Sequence, residues 1–177
     1  MDGDILRRRD TVFLTGYHGT SLESGNSIIS DKQFNISHGP KEWLGNGIYF
    51  YFSFEDAYKW KESEAIIHAI IKINEDEYLD IESEEGKKLY RGVLNLITSA
   101  QSKPVNSNAD AQKNQCAVMR MIWNQNPTIK VISASFPVEP TKIKTLIDLR
   151  DRRREFCVRN NDYIKHMYMI EKGDLDG

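Results

Sequence analysis

The sequence predicts an α+β fold with an antiparallel β-sheet core and peripheral helices. Three observations predict it: segments with strand character outnumber helical ones, the connections lack the alternation of βαβ units, and no glycine-rich turn of the Rossmann or P-loop kind occurs. The last point weighs against two common nucleotide-binding architectures, but not against nucleotide binding itself.

At 177 residues the chain matches one ordinary domain, long enough to bury a core without staples. Residues 1–10, with Arg7, Arg8 and Arg9, read as a flexible N-terminus. Thr11–Tyr17 is a β-rich run, so His18 is expected at a strand end. Thr20 with Glu23 makes a capping-box pattern for a short peripheral helix reaching Ser30. Asn35–Asn46 mixes Gly, Pro, Ser and His without a period and reads as a surface loop. It leads into an aromatic strand, Gly47–Phe52.

Ser53 has the chemistry of an N-cap, with Glu55 and Asp56 placed in the first turn of a helix carrying Ala57, Tyr58 and Trp60. Ala65–Ile73 is dense in β-branched residues and reads as a central strand. Glu75-Asp76-Glu77 reads as a solvated turn. Leu89, Val93, Leu94 and Ile97 recur at helical spacing within Ser83–Thr98. The polar stretch Ser99–Asn108 reads as a mobile loop before a second helix, Ala111–Asn124, whose Met119, Met121 and Trp123 read as core. Thr128–Phe136 and Lys142–Leu149 follow as strands, Asp151–Arg154 as a charged turn, and Glu155–Arg159 with Tyr163–Ile170 as a closing strand pair.

Composition narrows the functional classes. With 24 basic and 26 acidic side chains, no overall field marks a bulk nucleic-acid binder. Cys116 and Cys157 stand in apolar stretches without CxxC or histidine spacing, which argues against zinc and against a disulfide scaffold and for a reducing, cytoplasmic setting. No stretch approaches the length of a membrane span, so no membrane association is predicted.

Three segments carry chemistry: Tyr17-His18-Gly19-Thr20, Gly45-Asn46-Gly47-Ile48-Tyr49-Phe50, and Arg154-Glu155-Phe156-Cys157-Val158-Arg159. In this order they resemble the catalytic domain of ADP-ribosyltransferases of the diphtheria-toxin and poly(ADP-ribose)-polymerase type, marked by a His, a Tyr and a Glu on three strands. The resemblance spans roughly residues 13–170 and implies two packed sheets with NAD⁺ as substrate and no metal. On that pattern the ring of His18 binds a ribose hydroxyl toward the adenosine end, and the backbone of Gly19 pairs with the nicotinamide carboxamide, with Thr20 and Gly47 alongside. Tyr49 lays its ring on the nicotinamide, and a second aromatic, Tyr58 or Trp60, closes the other side.

The same resemblance makes Glu155 the carboxylate beside the ribose carbon, where positive charge develops as nicotinamide leaves. Nicotinamide departs neutral from a cationic precursor, so the site needs no strong acid. The expected activity is mono-ADP-ribosyl transfer to a macromolecular acceptor, protein or nucleic acid. The compact size suggests a toxin or phage-defence effector with an antitoxin or chaperone partner. An NAD⁺ glycohydrolase and a non-catalytic NAD⁺-binding module are the alternatives. The basic run Arg150–Arg154 is placed to steer an anionic acceptor or the pyrophosphate, or is a plain solvated turn.

Overall fold

β-Branched residues at five of the nine positions of Ala65–Ile73 leave a helix little rotamer freedom and suit a pleated surface packed on both faces. In the computed structural model, which describes residues 5–39, 42–60, 63–99, 108–137 and 152–174, this run is part of the ten-residue strand β4 (Ala65–Asn74). It lies between β2 (Thr11–Thr20) and β8 (Ile164–Glu171), with both pairings antiparallel. β1 (Ile5–Arg8) forms a hairpin with β2, turning through Arg9 at φ 52°. The N-terminal stretch expected to be flexible is thus a paired strand from Ile5 onward.

The other half of the sheet contains β3 (Ile48–Tyr51), β7 (Arg152–Val158), β6 (Val131–Pro137) and a short strand β5 (Tyr78–Asp80). All pairings there are antiparallel except β5 with β6. Among the described residues seven strands form one hydrogen-bonded path, β5-β6-β7-β3-β2-β4-β8, and an eighth, β1, pairs with β2 off that path. The α+β class is as the sequence implies. The two sheets implied by the resemblance are two halves of this path, joined by a single register pair, Tyr17 opposite Tyr51.

Several local readings are corrected. β2 continues through His18 to Thr20, because residues 18–20 still find ladder partners in β4 at Ile67, Ile66 and Ala65. Thr20 is therefore strand, and Ser21 caps α1 (Leu22–Asp31) by accepting from the Ser24 amide. Arg152–Arg154 is strand as well, since its backbone pairs with Ser135–Pro137. β7 and β8 do not pair with each other; they lie in opposite halves. β5 has only three residues, too few for periodicity to register. Lys142–Leu149 and the interior of the 99–108 loop lie outside the described residues.

Helices cover each half separately. α3 (Glu84–Ser99) and α4 (Asn108–Gln125) pack on the β6–β7 half, where Val93, Val118, Met119 and Ile122 meet Ile132 and Cys157. α1 and the short α2 (Phe54–Tyr58), capped by Ser53 as its sequence indicated, lie on the β2–β4 half. Between the halves, Val12, Leu14, Ile67 and Ile71 meet Phe50, Phe156 and Val158 in a common core. Residues Glu75–Glu77 form an exposed 3-10 turn closed by Glu77 on the Asn74 amide. Among the described residues no helix is long and apolar enough to cross a membrane.

Candidate active site

The seam between the halves is where side chains converge. β2 and β3 share only the Tyr17–Tyr51 pair, so past it their backbone groups need other partners. His18 supplies one: its Nδ1 donates to the Tyr49 carbonyl at 2.8 Å, spanning the gap where a ladder bond would otherwise lie. A carbonyl can only accept, so the proton sits on Nδ1. Burial also depresses the histidine's pKa, outweighing the bond to Tyr49 that raises it. His18 is therefore neutral, and Nε2 is left with a lone pair able to accept a hydroxyl proton.

A cavity of about 330 Å³ opens along this seam, at the small end of the usual range of roughly 300–1,000 Å³ for ligand pockets. His18, Gly19, Thr20, Gly47, Tyr49, Trp60 and Glu155 all line it, so three distant stretches of chain meet there. Tyr58 does not. Its ring packs on Phe54 and beneath the Lys172 ammonium, 4.5 Å from the centroid. Of the two aromatics proposed to close the pocket, Trp60 is the one on its wall.

The Tyr49 ring is held tightly. Its hydroxyl donates to the Gly45 carbonyl at 2.7 Å and accepts from the Leu44 amide at 2.9 Å. Burial raises its pKa well above the ordinary phenol value, with Cys157 adding to the effect, so it stays a neutral phenol. Gly45, at φ 91°, makes the turn that brings both backbone groups to that hydroxyl, and a Cβ there would also collide with the Trp123 ring. At Gly19 a Cβ would sit 2.7 Å from the Ala57 carbonyl oxygen. The missing side chain there lets α2 pack on β2, a different demand from the ligand approach inferred from sequence.

Glu155 stands opposite Tyr51 on β7, half-buried. Burial pushes its carboxyl up to about 7, Arg153 pulls it down and Asp56 adds to the rise. The basic run is not one patch, because strand periodicity sends its members to opposite faces. Arg153 shares the Glu155 face, 3.4 Å from Asp56 and over the Tyr51 ring. Arg154 and Arg152 turn away to Asp80 at 2.7 Å and Glu82 at 3.6 Å.

Asn35, Ser37, Glu42, Trp43 and Tyr51 also line the cavity wall, and sequence reasoning assigned none of them to the site. The 35–46 loop was read as surface for want of a period. Yet Leu44 is fully buried, its carbonyl accepts from Trp123 Nε1 at 2.5 Å, and Ser37 bridges to Gly47. The lone leucine after Trp43 was the signal that this loop folds inward.

A wider groove of about 790 Å³ lies elsewhere, walled by Asp10, Glu75, Asp76 and Glu85 with Tyr78 and Ile129. It carries no histidine, cysteine or basic group, and the smaller cavity has the richer chemistry. Both cysteines are free and buried, and among the described residues no cluster of three metal-ligating side chains occurs.

No family model matches the chain, and no solved structure matches it. An uncharacterized protein of Methanocaldococcus jannaschii is 28% identical over 193 aligned positions, covering 91% of this chain and 90% of the relative.

Proposed function

We propose that the chain is a mono-ADP-ribosyltransferase that takes ADP-ribose from NAD⁺ to a macromolecular acceptor, acting in the cytoplasm as a toxin or defence effector held in check by a partner. The observation that carries this reading is the meeting of His18, Tyr49 and Glu155 on one cavity at the split of the sheet.

The side chains suit the donor. His18 is neutral with Nε2 as an acceptor, which fits a ribose hydroxyl and avoids a second cation beside the nicotinamide ring. Tyr49, Tyr51 and Trp60 bring aromatic rings to the wall for the pyridinium. The cavity volume suits the nicotinamide–ribose end of the dinucleotide rather than its whole length. Glu155, with a carboxyl near 7 in the free protein, is about half protonated at neutral pH. A cationic nicotinamide beside it favours the charged form, so donor binding itself sharpens the carboxylate that faces the developing ribosyl cation. Tyr49 cannot take or give a proton near neutrality, and its part is to hold a ring in place.

NAD⁺ labelled in its adenine half tests the reading. Label should move to protein or nucleic acid of a lysate, and Glu155→Gln should slow the movement by roughly 10²–10³-fold, the loss seen when one charge-stabilising group is removed from a transfer site. Equal transfer by the Gln variant removes the role given to Glu155. Free ADP-ribose with no labelled macromolecule makes the enzyme a glycohydrolase, and NAD⁺ binding without consumption makes it a binding module.

A further inference from the structure

The cavity has two unlike sides. On one, His18 and Thr20 come from β2, and Trp60 follows α2, its amide bonded to the Ala57 carbonyl. On the other, Trp43 packs edge-on against Phe136, ring centroids 5.1 Å apart. Phe136 lies opposite Arg153, two residues from Glu155 along β7. Trp43 therefore belongs to the Glu155 side, where an acceptor must arrive to meet the ribose carbon.

Of the three tryptophans in the chain, Trp123 is only 7% exposed, while Trp43 and Trp60 are 38% and 37% exposed, and both of these line the cavity. Beside Trp43, Glu42 lines the same wall. Its Oε1 accepts from the Ser37 hydroxyl at 2.5 Å, and Oε2 has no partner among the described residues. An aromatic plane fixed at its edge, with a fixed carboxylate oxygen next to it, matches a flat heterocycle that carries an N–H donor. Arg120, exposed on α4, donates to the Gly39 carbonyl of the same loop, so the loop that carries Trp43 also holds a cation that suits a phosphate.

We propose that Trp43 and Glu42 form an acceptor subsite for a nucleobase with an exocyclic amino group, presented by single-stranded nucleic acid. This rests on the transfer reading above. The base stacks on Trp43 and its amino group donates to Glu42 Oε2. The amino nitrogen's lone pair forms the new bond to the ribose anomeric carbon as the bond to nicotinamide breaks. That bond's electron pair leaves with nicotinamide, which departs neutral. The amino proton, acidified as the new bond forms, passes to Glu42 and then to water.

The test uses the full chain, labelled NAD⁺, and RNA oligomers of A, C, G or U of equal length. Anisotropy binding of the same oligomers without NAD⁺ runs in parallel. The A, C and G series should hold the favoured acceptor, with U, which has no exocyclic amino group, at background in the labelling assay. Trp43→Ala should weaken oligomer binding and raise the oligomer KM roughly tenfold or more, the loss expected for one stacked base. KM for NAD⁺ should stay put, and Trp43→Phe should recover most of the loss. Glu42→Gln should erode discrimination against U.

Equal labelling of U overturns the amino-group assignment. If Trp43→Ala raises KM for NAD⁺ and leaves the oligomer terms unchanged, the donor's own adenine stacks there and the subsite is overturned. Nicotinamide release with label only on protein or in free ADP-ribose overturns the subsite and leaves the donor chemistry standing. No nicotinamide release at all overturns both.

Discussion

Of the three ladders made by β2, those with β4 and with β3 stand furthest apart. Against β4 it keeps register from Thr11–Asn74 to Thr20–Ala65 without interruption, over a core in which Leu14, Ile67 and Ile71 are fully buried. Against β3 it makes one pair, and the next carbonyl is satisfied by an imidazole. A complete ladder spends every backbone group on itself and leaves none for a ligand. An interrupted one leaves a gap with polar groups pointing into it, and there the histidine, tyrosine and glutamate collect. One strand thus supplies both the scaffold and the site.

That contrast predicts opposite outcomes for substitutions on the two sides. In the continuous ladder, Ile71→Ala removes a fully buried side chain and should cost about 3 kcal/mol of stability. A urea titration measures this, and NAD⁺ turnover per folded molecule at low temperature should be unaffected. A change in turnover as large as the change in stability would mean that the two ladders do not divide the work.

At the seam, the same method should show a gain. Glu155 has a folded carboxyl near 7 against an ordinary 4.5. Because the folded value is raised, the folded state holds the proton more tightly, and the stability it contributes is complete below pH 4.5 and lost as pH climbs through 7. Glu155→Gln does not titrate. It should match the parent near pH 4.5 and exceed it by about 2 kcal/mol at pH 8.5, after allowing for partial solvent access. Identical pH profiles would show that burial exacts no cost at this carboxylate.

How much of this was legible in the sequence follows from the same division. The continuous ladder announces itself, since Ala65–Ile73 has β-branched residues at a density no helix favours, and its bounds were read within a residue. Ser53 was legible as a cap because a hydroxyl before two acidic residues has one common use. His18, Tyr49 and Glu155, with Gly19, Thr20, Gly47 and Trp60, were legible as candidates through an ordered set of short motifs, whereas Asn35, Ser37 and Glu42 were not. Glu42 and Asn35 enter the cavity through a loop fold determined by Leu44, Gly45 and Trp123, contacts that span dozens of residues and leave no local period. Arg152–Arg154 read as a turn because charge run outweighed alternation. Strand pairing with β6 decides the matter, and no window of sequence contains both partners.

The smallest effect concerns the Tyr49 hydroxyl, and it separates two roles that the residue carries at once. The ring is on the cavity wall, while the hydroxyl is committed to the loop through the Leu44 amide and the Gly45 carbonyl. Tyr49→Phe keeps the first and deletes the second. It leaves a part-buried donor and acceptor without their partner, at a cost of about 1 kcal/mol if water reaches them, read as a lower urea midpoint at unchanged slope. The phenol does not ionise, so the pH dependence of NAD⁺ turnover should be the same in the variant as in the parent. KM for the acceptor should rise modestly, because the turn that carries Glu42 and Trp43 to the opposite wall is anchored by that oxygen. A variant that shifted the pH profile would instead make the hydroxyl part of the chemistry, and the seam would then hold a second titrating group beside Glu155.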